Sequence, residues 1–202
     1  MRIGFDFDNT IVSYDALFYQ VATEQKLIPT DLPKTKIAVR DYLRNADNEN
    51  VWTEMQGYVY GERMGDTSAY PGVVEFIKLA RNKGVSMVII SHKTLHPFMG
   101  PKYNLHKAAS EWIDNSLVDG EQSLFGKSQV FFELTKEEKI ARIADCNCDY
   151  YIDDLPEILQ MPGFPEKTAR ILFDPGNNHS DKGMNAKFNS WADIKSFYEE
   201  KW

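Results

Sequence analysis

Five short apolar runs limit what this chain can fold into: Arg2–Phe7, Val85–Ser91, Ser128–Glu133, Tyr150–Asp153 and Ala169–Phe173. Several are continuously apolar rather than alternating, the pattern of strands covered on both faces in a parallel sheet. Segments with helical periodicity lie between most of them. Val73–Lys83 carries Val73, Val74, Phe76, Ile77 and Leu79, begins after Pro71-Gly72 and stops at Gly84, a residue suited to a left-handed C-terminal cap. Ala108–Leu117 and Lys136–Ala144 read as the next helices, and Trp191–Glu199 as the last. Strand–helix alternation of this kind predicts an α/β fold built on a doubly wound parallel sheet.

The alternation fails once. About 80 residues separate the first two runs, where a single crossover helix would suffice. Tyr14–Gln25, Lys36–Asn45 and Val51–Met64 read as helices, joined by loops at Ile28–Lys34 and Ala46–Asn50, and Trp52, Met55, Val59 and Met64 form a helical stripe. Residues 13–69 are therefore expected to form a small α-helical insert over one end of the sheet. Residues 1–12 and 70–202 then make the α/β core.

Composition removes several function classes. Lys and Arg total 23 against 30 Asp and Glu, a net charge of −7, which argues against a nucleic-acid coat or a polybasic membrane binder. Positive charge for any anionic ligand must then come from single residues or from a metal. Cys146 and Cys148 are one residue apart, too few for a disulfide framework and without the spacing of a zinc or redox pair. The first residues turn acidic at Asp6 and do not read as a signal peptide, and no apolar run approaches the ~18 residues of a membrane span. A cytoplasmic protein is expected.

The strand ends carry the chemistry. Asp6 and Asp8 sit two apart where the first run stops, followed by Asn9 and Thr10. Both carboxylates can project into the crevice beyond the strand ends, where open α/β sheets bind ligands. Neighbouring carboxylates repel unless a proton or cation intervenes, and a hard cation such as Mg²⁺ suits oxygen donors. The alternative is a turn in which Asp8 and Asn9 bond the backbone. Ser91 ends the second run, where a hydroxyl and the following amides can hold a phosphate oxygen or cap a turn. Asp153 and Asp154 end the fourth run. Asp154 and Glu157 can form a capping box around Pro156, which leaves Asp153 free to face a metal. Thr135 and Glu138 form another capping box, so Lys136 stands in the first turn of a helix, where the dipole disfavours a cation unless an anion lies nearby. Lys139, one turn on, is its rival, but it adjoins the apolar stripe of Ile140 and Ile143 and can keep its ammonium in water.

This ordered set resembles the haloacid dehalogenase-like (HAD) superfamily, and within it the Mg²⁺-dependent phosphatases. The motifs are Asp6-x-Asp8-x-Thr10, Ser91, a lysine at a helix start, and Asp153-Asp154 after an apolar strand. They span residues 1–12 and 70–175; the insert is placed like that superfamily's helical cap. The resemblance implies a Rossmann-like core and an Mg²⁺-dependent phosphomonoester hydrolase. Asp6 would be the nucleophile and Asp8 the general acid and base. Mg²⁺ would sit on the Asp6 and Asp153 carboxylates and the Asp8 backbone carbonyl. Ser91, Lys136, the Asn9 amide and His92 would hold phosphate, and Thr10 would orient Asp8. The last motif departs from the commoner Gly-Asp-x-x-x-Asp form, leaving Asp154 and Glu157 as alternative supports of the metal. A small phosphate ester, either a sugar phosphate or a nucleoside monophosphate, is the expected substrate, with no nucleic-acid or membrane partner. A phosphomutase and a non-catalytic binding module are the alternatives.

Other residues have weaker claims. His92 and Lys93 follow Ser91 and are placed to touch substrate. The loop Thr94–Asn104 is long, and long loops often serve function. Arg40, Arg44 and Arg63 in the insert either meet an anionic leaving group or line a solvated helix face. Asp174–Asn185 reads as a surface loop.

Overall fold

A six-stranded, all-parallel sheet forms the centre of the larger of two units in the computed structural model, which describes residues 1–201. Its strands are β1 (Arg2–Phe5), β2 (Ser86–His92), β3 (Val130–Glu133), β4 (Tyr150–Asp153), β5 (Ala169–Phe173) and β6 (Ala186–Phe188), in the spatial order β6-β5-β4-β1-β2-β3. The order reverses at β1, as in doubly wound folds, so a crevice opens beyond the carboxyl end of β1. Register brings Phe5 opposite both Ile89 and Ile152, which sets Asp6 level with Asp153 at the end of β4 and one residue short of Ser91 in β2.

The chain's helices are α1 (Asp15–Glu24), α2 (Lys36–Asn45), α3 (Glu49–Tyr60), α4 (Val73–Asn82), α5 (Leu105–Ser116), α6 (Lys136–Asp145), α7 (Pro156–Leu159) and α8 (Trp191–Glu199). In the larger unit, alternate strand residues serve opposite faces of the sheet. Val88, Ile90, Tyr151 and Leu172 pack with Ile140 and Ile143 of α6 and with Ile158 and Leu159 of α7. On the other face Phe5 lies 6.2 Å from Phe76 of α4 and 6.0 Å from Trp191 of α8, ring centre to ring centre. Trp191 also donates from Nε1 to the Thr10 carbonyl at 3.1 Å, tying α8 to the turn after β1. Burial of each such ring contributes about 1.5–3 kcal/mol.

Gly4 lies on the α6 side of β1 for a steric reason. A Cβ there would come 2.7 Å from Tyr151 Cδ2 and 2.9 Å from Cys148 Sγ. Tyr151 fills that space and donates its hydroxyl to the Ile90 carbonyl, linking β4 to β2 across β1. Gly4→Ala should therefore cost about 1–3 kcal/mol through overpacking, read as a lowered thermal midpoint.

One strand is absent from the sequence reading. Ala186–Phe188 is too short and mixed to show a period, yet it pairs with β5. The loop before it is pinned by Asp174, a buried carboxylate that accepts from the amides of Asn178 and His179 and pairs with Lys187 at 2.9 Å.

The smaller unit comprises residues 13–68 and 94–112, so it takes in the stretch Thr94–Trp112 as well as the segment read as an insert. The helices α1, α2 and α3 bury Phe18, Val39, Leu43, Trp52, Met55 and Val59 between them. Phe18 and Trp52 lie 5.0 Å apart. Thr35 caps α2 by accepting from Ala38 N at 3.1 Å. Pro97 packs on α3 at Gly57, where a Cβ would lie 2.6 Å from the proline ring. Arg40, Arg44 and Arg63 are all engaged inside this unit, by Asp41, Glu49, and Glu24 with Asp66 respectively. Among the described residues no helix is long and apolar enough to cross a membrane.

Candidate active site

Asp6 follows β1 and keeps its pairing, donating its amide to the Ile152 carbonyl at 2.8 Å. The chain then turns tightly. The Phe7 carbonyl accepts from both Ile11 N and Val12 N, and Asn9 adopts a left-handed conformation (φ 58°), which asparagine tolerates better than most residues. This turn gathers Asp6 and Asp8 at the strand ends.

Side chains from three further segments gather around Asp6. Ser91 Oγ donates to Asp6 Oδ1 at 3.0 Å, and Lys139 Nζ donates to the same oxygen at 2.7 Å. Lys139 also donates to Asp153 Oδ2 at 2.6 Å, while Asp153 Oδ1 accepts from Leu155 N at 2.9 Å. Asp6, Ser91, Lys139 and Asp153 are all buried. Carboxylate oxygens of Asp6, Asp153 and Asp154 come within 4.8 Å of one another.

Burial favours the neutral form of both Lys139 and Asp153. For Lys139 that effect is the largest single one, but Asp153 and Asp6 together overcome it and hold the ammonium well above its ordinary range. Burial pushes the Asp153 carboxyl up and Asp6 adds to this, with Lys139 offsetting only part. Three carboxylates gather here around one ammonium. An all-oxygen set of this kind fits a hard divalent cation.

The lysine of the cluster is Lys139 and not Lys136. Lys136 is exposed, its ammonium 3.9 Å from Glu157, itself exposed on α7. Glu157 thus stands outside the carboxylate cluster, and Asp154 stands inside it. Nor does Asp154 cap α7, whose N-cap is Leu155 with no side-chain bond. Thr10, expected to orient Asp8, instead donates its hydroxyl to Asp154 Oδ1 at 3.4 Å. His92 is turned away as well: strand alternation sends its ring to the Leu134 carbonyl, 3.1 Å from Nε2. The same alternation puts Lys93 on the side of Ser91, where its ammonium meets both Asp8 oxygens, at 2.9 and 2.8 Å.

Known proteins share this arrangement of elements. No family model matches the sequence. The chain is 20% identical over 201 residues to a candidate nucleotidase of Oceanobacillus iheyensis, covering 96% of this chain and 97% of that one. A HAD family hydrolase from Deinococcus radiodurans, solved with bound phosphate and sodium, superposes with a TM-score of 0.60 at 17% identity, over 99% of this chain and 96% of that one. CbbY from Rhodobacter sphaeroides, solved with phosphate, gives 0.55 at 14% identity over 96% and 95%. A further CbbY structure holds xylulose-(1,5)bisphosphate. With its parallel sheet reversing at β1 and its helices on both faces, the chain has the haloacid dehalogenase-like fold.

Proposed function

We propose that the chain is an Mg²⁺-dependent phosphomonoester hydrolase that works through an aspartyl phosphate on Asp6. One observation carries this reading: a serine hydroxyl and a buried ammonium converge on a single Asp6 oxygen, beside two more carboxylates. Such a group is anchored on one side and open to attack phosphorus from the other. The Asp6 carboxylate forms the new bond to phosphorus as the ester oxygen leaves. Asp8 protonates that leaving oxygen. It then takes a proton from the water that displaces Asp6 from phosphorus. The Ser91 hydroxyl, the Lys139 ammonium and the Asn9 amide stabilise the phosphoryl oxygens as charge builds on them. The Asp6 and Asp153 carboxylates and the Asp8 carbonyl would hold Mg²⁺, with Asp154 in support. Bound there, the ion offsets the repulsion between carboxylates and phosphate.

The substrate in this reading is a small soluble phosphate ester, and residues 13–69 act as a cap that selects it. The nucleotidase name of the Oceanobacillus protein supports a nucleoside monophosphate, and the sugar bisphosphate held by CbbY supports a sugar phosphate. A panel of both classes, assayed for phosphate release with Mg²⁺ and with excess chelator, tests the proposal. Release from at least one ester, lost on chelation and restored by Mg²⁺, is the expected result. Undiminished release in chelator overturns the metal requirement. Isomerised sugar phosphate without release would point to a mutase.

A further inference from the structure

Resting on the hydrolase reading, we propose that Lys93 is a positioning residue for Asp8, fixing the carboxylate that exchanges protons with the leaving group and the water. Lys93 lies one residue beyond β2, and its amide donates to the Glu133 carbonyl at 2.9 Å, so its backbone is held by the sheet. Its side chain is 4% exposed and ends in a two-pronged contact with Asp8. The ammonium also lies 5.6 Å from the centre of the Phe7 ring, which packs edge-on against Phe132 of β3 at 5.9 Å. A buried ammonium is costly unless paired, and this one is paired with the residue to which the chemistry assigns proton transfer.

The need for such a residue follows from where Asp8 stands. It projects from a turn and not from a strand, and its side chain keeps 21% of its exposure. Proton transfer requires it within hydrogen-bond reach of the leaving oxygen. An ammonium anchored in the sheet restricts both side-chain torsions of Asp8 before substrate arrives; when Asp8 carries its proton, one oxygen stays on Lys93 while the other presents that proton to the leaving oxygen, and orientation fixed in advance lowers the barrier. Lys93 touches neither phosphorus nor the leaving group in this account; it acts through Asp8.

Two esters separate positioning from a merely structural role. Departure of an alkyl oxygen needs its proton, whereas a 4-nitrophenolate leaves without one. Lys93→Met, which keeps the length of the stem, should lower kcat/KM about 100-fold on an alkyl phosphate, in line with the loss of general acid catalysis. On 4-nitrophenyl phosphate the loss should be under about 10-fold, and Lys93→Arg should recover most of the alkyl activity. In an Asp8→Asn background, Lys93→Met should cost nothing more, because the two act as a unit. That double variant leaves neither charge unpaired, so its comparison with Asp8→Asn alone decides the matter if Lys93→Met does not fold. Equal losses on the two esters, or a further loss in the Asp8→Asn background, overturn the inference and leave the hydrolase reading intact. A wild-type chain that hydrolyses neither ester with Mg²⁺ overturns the hydrolase reading, and the inference with it.

Discussion

Asp6→Asn should abolish phosphate release, by about 10⁴-fold or more, while leaving the fold as stable as before. The amide keeps an oxygen in place of Oδ1, so Ser91 and Lys139 retain their acceptor. Lys139 also keeps Asp153 at 2.6 Å. The substitution removes one of three clustered negative charges, which relieves repulsion and does not add to it. What it removes is the oxygen nucleophile, because an amide oxygen does not displace an alkoxide from phosphorus. Phosphate release and thermal unfolding, measured on the same preparation, check both halves. A stable variant that still turns over with Mg²⁺ would exclude Asp6 as nucleophile.

Lys139→Met has the second large effect, and it acts on stability as well as on rate. Without the ammonium, Asp6 and Asp153 remain buried side by side and lose the cation they share. Breaking a buried pair in this way typically costs about 3–5 kcal/mol. Turnover should fall by about 10³-fold, since a charge-assisted contact to the phosphoryl oxygens is lost. Mg²⁺ should raise the variant's thermal midpoint more than that of the wild type, because the ion supplies charge the site now lacks, without restoring turnover. Lys136→Ala is the control. Its 3.9 Å contact with Glu157 joins two exposed side chains, so stability should change by under about 0.5 kcal/mol and turnover should stay unchanged. The reverse pattern, a dead Lys136→Ala beside an active Lys139→Met, would place the phosphate-binding charge on α6 one turn earlier.

The confusion between these lysines shows where the sequence stops being legible. The dipole at the start of α6 argues for Lys136, as does the stripe of Ile140 and Ile143. Helical side chains lean towards the N-terminus, however, so a residue covers the turn before its own Cα. A long side chain one turn inside the helix therefore reaches back to the strand ends, while the first-turn residue overshoots into solvent. Lys139 stands four residues before Ile143, which puts it on the buried stripe itself. Lys93 was legible by the same kind of rule, since two residues on from Ser91 means the same side of a strand. The same rule sends His92, the intervening residue expected to hold phosphate, to the opposite side. Asp6, Ser91 and Asp153 could be read directly because each ends an apolar run, and strand ends in a parallel sheet share one edge. The pairing of Ala186–Phe188 with β5 could not, because three mixed residues carry no period and the buried Asp174 that anchors the preceding loop looks like any loop aspartate.

The hydrolase reading requires a covalent bond between Asp6 and phosphorus, which borohydride trapping can capture. Borohydride reduces an acyl phosphate to an alcohol, so quenching the wild-type enzyme into it during turnover should convert the side chain at position 6 to that of homoserine. Peptide mapping by mass should find the change there, dependent on substrate and on Mg²⁺, with Asp8, Asp153 and Asp154 unaltered. An enzyme that turns over at full rate while Asp6 stays unmodified would contradict the account.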